Sequence, residues 1–131
     1  MTELLVPQDA LDHAVNWTRD LVARVPDLAG FTVGGTQLKA GVTPAKHIRV
    51  MVVGSGDYHR VGDRVSLRFQ IWREGPEKLR NSAANQVLAH TRASLIGRKE
   101  AGPVTLPDPA DNTKHLTQFE VSVLMIGKEQ P

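Results

Sequence analysis

The chain has 131 residues and a mass of 14.3 kDa, enough for one domain and too little for a catalytic domain joined to a separate regulatory one. It contains no Cys, which excludes disulfides, thiol nucleophiles, zinc ribbons and iron–sulfur ligation together. Sixteen Lys and Arg against 14 Asp and Glu give a formal charge of +2, without the dense basic patch of a typical nucleic-acid binder. No apolar run approaches the roughly 18 residues of a membrane span, and Met1-Thr2-Glu3 opens without a basic-then-apolar leader. The expectation is a soluble protein that works inside the cell that makes it.

In chain order, Pro7 to Val25 predicts the first helix. Leu11, Val15, Thr18, Val22 and Val25 recur at helical spacing, flanked by Ala14 and Leu21. Asp12, Asn16, Arg19, Asp20 and Arg24 face water, and Trp17 falls on the margin between the two faces. Asp9 can cap the first turn, and Pro26 ends the helix. From Asp27 to Ala45, Gly30, Gly34, Gly35, Gly41 and Pro44 predict a loop-rich connection in which Phe31-Thr32-Val33 can form a short edge strand.

Two strands follow. Ile48, Val50 and Val52 alternate with Arg49 and Met51, and Val65, Leu67, Phe69 and Ile71 alternate with Arg64, Ser66, Arg68 and Gln70. The link from Gly54 to Asp63 is too long for a two-residue hairpin and predicts a protruding, glycine-hinged tip. Gly75-Pro76-Glu77 opens a second helix, with a stripe of Leu79, Ala83, Val87, Thr91 and Leu95 thickened by Ala84 and Leu88, and Gly97 as its stop. Arg98 to Lys114, with Gly102, Pro103, Pro107 and Pro109, is expected to be a second long loop. Leu116 to Ile126 alternates again and predicts a final strand. The fold expected is α+β: a mostly antiparallel sheet of about four strands with a long protruding hairpin, and two helices packed on one face, in a single domain spanning the chain.

The residues assemble no recognisable chemistry. His13, His47, His59, His90 and His115 form no pair at helical spacing and no metal-ligand pattern. Gly54-Ser55-Gly56 sits at a hairpin tip rather than on a strand-to-helix elbow, and Gly34-Gly35 lacks a phosphate-loop continuation. Asp108-Pro109-Ala110-Asp111-Asn112 lacks the closing glutamate of a calcium loop and reads as a solvated turn. The expectation is therefore no catalytic, cofactor-binding or metal site. Arg49, Arg64, Arg68 and Arg73, with Arg60 at the tip, make either a positive strip on the polar sheet face or cross-strand pairs with Glu120 or Asp63. The inward positions Val50, Val52, Leu67, Phe69, Val121, Val123, Leu79 and Val87 are all apolar, which disfavours a small enzyme or ligand-binding domain with a polar cavity. The polar faces of the strands are poor in lysine, the usual guard of an exposed sheet, and this fits surfaces covered by a neighbour.

The first helix ending at Val25-Pro26, the strand Ile48 to Val53 running into its Gly-rich tip, Asp63 to Trp72, the helix Lys78 to Leu95, Gly102-Pro103-Val104 with Pro107-Asp108-Pro109, and Phe119 to Val123 together resemble the tail terminator proteins of long-tailed bacteriophages, particularly those of actinobacteria. The resemblance covers nearly the whole chain and is carried by element order and texture. It implies a non-enzymatic virion protein at the neck end of the tail, assembled in the host cytoplasm. Such a protein forms a homohexameric ring on the last ring of tail-tube protein, stops tube growth and presents a surface to the head-tail connector or stopper protein, with DNA passing through the lumen without sequence-specific contact. No cofactor and no membrane partner are implied. The candidate assembly contacts are Ser55, Asp57, Tyr58, His59 and Arg60 at the hairpin tip, Arg64 and Arg68 on the sheet, and Asp108, Asp111 and Lys114 in the second loop. Another neck or tail-completion protein of the same virion is the neighbouring alternative.

Overall fold

The structure is a computed structural model that describes residues 7–36, 38, 43–53, 63–95, 97–111 and 113–125, with the side chains of 7–9, 63, 64, 124 and 125 outside that description. Helix α1 (Pro7–Arg24) leads through a short 3-10 turn at Pro26–Leu28 into strand β1 (Thr32–Gly34). Then come β2 (Lys46–Val53), β3 (Asp63–Arg73), helix α2 (Glu77–Ser94), β4 (Arg98–Pro107) and β5 (His115–Met125). The five strands form one sheet in the order β1-β2-β3-β5-β4, parallel between β1 and β2 and antiparallel elsewhere. The class is α+β, as the alternation of the strands and the helical stripes predict. The hairpin of β2 and β3 is present, and its tip lies outside the described residues.

Period-two alternation becomes a division between the two faces of the sheet. Ile48 and Val50 of β2 stand opposite Ile71 and Phe69 of β3, and Phe69 and Leu67 stand opposite Phe119 and Val121 of β5. All these side chains are buried, and both helices lay their apolar stripes on them as one continuous core. At its centre the rings of Phe69 and Phe119, a directly opposed pair, stack with centroids 5.0 Å apart and planes 16° from parallel. Offset stacking of this kind adds to the energy of burying the rings.

The helices settle by size of side chain. In α1 the fully buried positions are Ala10, Ala14, Thr18 and Leu21, whereas Leu11, Trp17 and Val22 are partly buried at the margins. The small alanines let the backbone approach the sheet. Thr18 sits in this stripe because its hydroxyl donates to the Ala14 carbonyl at 2.7 Å, so no polar atom is left unpaired. In α2 the contact is again small, through Ala83 and Ala84, followed by Val87, Leu88 and Thr91. The helix ends where the Leu95 and Gly97 amides both donate to the Thr91 carbonyl. Gly97 is required there: a Cβ would stand 2.8 Å from Thr91 O and 3.0 Å from Val121 Cγ2.

Two expectations are corrected. The segment Arg98 to Lys114 is not one long loop, since residues 98–107 form β4, paired along β5 from Arg98↔Ser122 to Pro107↔His115. Its Gly and Pro residues are accommodated because β4 is an edge strand with two register shifts, where a missing donor interrupts little. Gly102 has φ +74°, and a Cβ on it would meet Gln118 O at 2.5 Å. The second correction concerns the α2 stripe. Leu79, expected inside, is 39% exposed, and the neighbouring Arg80 is buried in its place.

Candidate assembly surface

Among the described residues, no helix covers the second face of the core strands. Across it run Thr32 of β1; His47, Arg49 and Met51 of β2; Ser66, Arg68, Gln70 and Trp72 of β3; Leu116, Gln118, Glu120 and Ser122 of β5; and Val104 and Leu106 of β4. Most of these side chains are half-buried by one another. Gln70 Nε2 donates to Gln118 Oε1 at 2.9 Å, and these are directly opposed residues. The next opposed pair, Arg68 and Glu120, is an ion pair in which both Nε and Nη2 of Arg68 lie 2.8 Å from Glu120 Oε2. One rung further, Ser66 Oγ donates to Glu100 Oε1 at 2.6 Å.

Of the two readings open for the arginines, cross-strand pairing with Glu120 is the one Arg68 takes. Along these three rungs the face is a ladder of matched polar groups. Two features depart from that matching. Arg49 Nε is buried and, among the described residues, makes no hydrogen bond, and Val104 is 47% exposed on the edge strand.

The face changes character toward the start of β2 and the end of β3. There Trp72 is only 4% exposed, its indole N–H donating to Asp108 Oδ2 at 3.1 Å. The Asp108 carboxylate also accepts from the Ala110 amide, and its own amide donates to the Lys114 carbonyl. His47 lies beside the indole, ring centroids 5.9 Å apart, and its Nδ1 is 2.6 Å from the Thr32 hydroxyl on β1. Burial holds the His47 pKa below the ordinary imidazole value, and the Arg49 guanidinium pushes it in the same direction.

The ten candidate contacts separate on this frame. Ser55, Asp57, Tyr58, His59 and Arg60 lie outside the described residues. Arg64 is placed on β3 opposite Leu124, with its side chain outside the description. Arg68 is on the open face, in its pair with Glu120. Asp108, Asp111 and Lys114 come together in one turn between β4 and β5. Within it Asp111 accepts from both the hydroxyl and the amide of Thr113, and the hydroxyl is the main cause of a carboxyl pKa below its usual value, followed by the amide. Lys114 is exposed, whereas Asp108 is 3% exposed and bonded within its own chain. Asp108 is thus corrected from a solvated, outward contact to an anchor of the fold. Its role depends on Trp72, a distant residue in sequence that no local pattern connects to it.

The sequence reading missed one further group. Arg80 donates from Nε to Thr117 Oγ1 at 2.8 Å, and Thr117 in turn donates to Asn81 Oδ1 at 2.9 Å. Thr117 occupies the inward row of β5 that continues through Phe119, Val121 and Val123, all buried. One polar residue in that otherwise apolar row was the available signal for a polar partner on α2. No family model and no curated protein matches the sequence. Among the described residues, no helix is long and apolar enough to cross a membrane.

Proposed function

We propose that this chain is a virion structural protein that forms a ring on the end of a bacteriophage tail tube, ends tube polymerisation and provides the surface to which the head joins. The observation that carries the reading is the helix-free sheet face bounded by two unlike edges. A subunit in a closed ring meets its neighbours head to tail, so it needs two dissimilar surfaces on opposite sides. The sheet supplies such a pair: β1 is three residues long and parallel to its neighbour, and β4 is ten residues long, antiparallel and interrupted by two register shifts. Between them the half-buried polar ladder forms a broad platform, and an added layer of protein would bury Val104 and offer a partner to Arg49 Nε. The resemblance of the sequence to tail terminators supports the same reading. DNA in the lumen of such a ring would meet side chains through its phosphates, without base readout.

The test is to mix the purified chain with polymerising tail-tube protein from the same genome and measure tube lengths by electron microscopy. Short tubes bearing an extra ring at one end are expected. Tubes that grow on undecorated would overturn the terminator role and favour a neck protein on the connector side.

A further inference from the structure

We infer that the cleft between the end of β3, the first turn of α2 and the turn before β5 binds a phosphate dianion, either free or as the phosphoryl group of a small molecule. This inference stands whether or not the chain caps a tube. The cleft has a volume of about 300 Å³, room for a phosphate group. Arg73, Arg80 and Lys114 line it, and Glu74 is the one carboxylate among its lining residues. With Glu77 counted as well, its carboxylate 3.6 Å from Arg80 Nη2, these five side chains carry a formal +1, which favours an anionic ligand. The Thr43 side chain on the wall adds a hydroxyl group that suits a phosphate oxygen.

Arg80 is the deciding residue. Its side chain is 8% exposed, and among the described residues its guanidinium makes one short hydrogen bond. Nε makes the short bond to Thr117, while Nη2 stands 3.5 Å from Thr105 Oγ1 and 3.6 Å from Glu77 Oε1. Charge-assisted bonds from a guanidinium are typically about 2.7–2.9 Å long, so both Nη2 contacts are loose. Glu77 is itself 63% exposed and screened by water. A guanidinium carries five N–H donors in a planar fork and is costly to bury unless they are matched. Here Thr117 holds Nε of the guanidinium beside a cleft lined by two further cations. That is the arrangement that binds a tetrahedral oxyanion, in which one oxygen pair meets the fork and Arg73 and Lys114 neutralise the remaining charge.

Trp72 lines the same cleft and reports on it by fluorescence. Sodium phosphate and adenosine 5′-monophosphate are titrated separately into the full chain at constant ionic strength, with heat and tryptophan emission as the two readouts. Saturable binding of phosphate or of the nucleotide is expected, weakened roughly tenfold by Lys114→Ala or Arg73→Gln. Both replaced side chains lie outside the core, and an unchanged melting temperature and circular dichroism spectrum verify that each variant is folded. Tighter binding of the nucleotide assigns the site to a phosphorylated small molecule, and equal binding assigns it to the free ion; both support the inference. No saturable signal from either probe, the same signal from sodium chloride, or full affinity in both folded variants overturns it.

Discussion

The two faces of this sheet are built from the same strands and alternate residue by residue, yet they are held by different physics. On the covered face, Phe69 meets Phe119 and both helices close over the pair. Its energy comes from removing apolar surface from water and from close packing, so it depends on volume. On the open face, one residue further along each strand, Arg68 meets Glu120 and Gln70 meets Gln118. Those contacts exchange hydrogen bonds with water for hydrogen bonds with each other, so each is worth little net. The comparison teaches that the covered face carries stability, and that the open face can be altered, or used by a partner, with the fold intact.

The sharpest way to break the comparison is to empty the covered face. Phe69→Ala is expected to cost about 3–5 kcal/mol, as large-to-small core replacements do, measured by urea denaturation with an unchanged m-value. A loss below about 1 kcal/mol, the scale of a surface substitution, would mean the faces are assigned in reverse. The next effect falls where the open face becomes buried. Asp108→Asn replaces the charged acceptor of the Trp72 indole and should cost about 1.5–3 kcal/mol, with a shift in tryptophan emission that a purely local change in the turn would not produce.

A smaller effect is expected on the ladder itself. Because the Arg68 and Glu120 side chains are 35% and 25% exposed, a double-mutant cycle with Arg68→Met and Glu120→Gln should yield a coupling of about 0.2–1 kcal/mol, declining with added salt. Coupling several times larger would show that the open face is as rigidly determined as the core. The smallest effect is that of pH. The folded His47 pKa lies below 6.5, so from about one pH unit above 6.5 both the folded and unfolded imidazoles are neutral and the residue is without influence. As pH falls below 6.5 the unfolded chain takes up the proton first, and stability declines until the folded pKa is passed. In the fully folded His47→Gln variant the melting temperature should fall less over that interval; an identical slope would remove His47 as the cause.

Much of this architecture was legible because periodicity is a local property. α1, α2, β2, β3 and β5 follow from apolar spacing, and even β1 was visible in Phe31-Thr32-Val33. β4 was not, because Gly102, Pro103 and Pro107 form the texture of a loop, and only its place at the sheet edge makes them acceptable in a strand. Arg80 was hidden for a related reason. Both Leu79 and Arg80 extend the α2 stripe backward by one turn, and Thr117 on a remote strand decides between them. On the candidate surface, the pairing of Arg68 with Glu120 was one of two readings the residues left open, while the burial of Asp108 rests on a tertiary contact with Trp72 that composition cannot express.

The position of β5 bears on how the molecule is made. In the sheet β5 lies between β3 and β4, although β4 precedes it in the chain. A ribosome therefore delivers β4 before the strand that gives it a place in the sheet. Until β5 emerges, β3 is a temporary edge with Phe69 lacking its stacking partner. If the central strand is the last to be inserted, like the pin of a clasp, substitutions along β5 should slow refolding, measured by stopped-flow, more than comparable ones along β1.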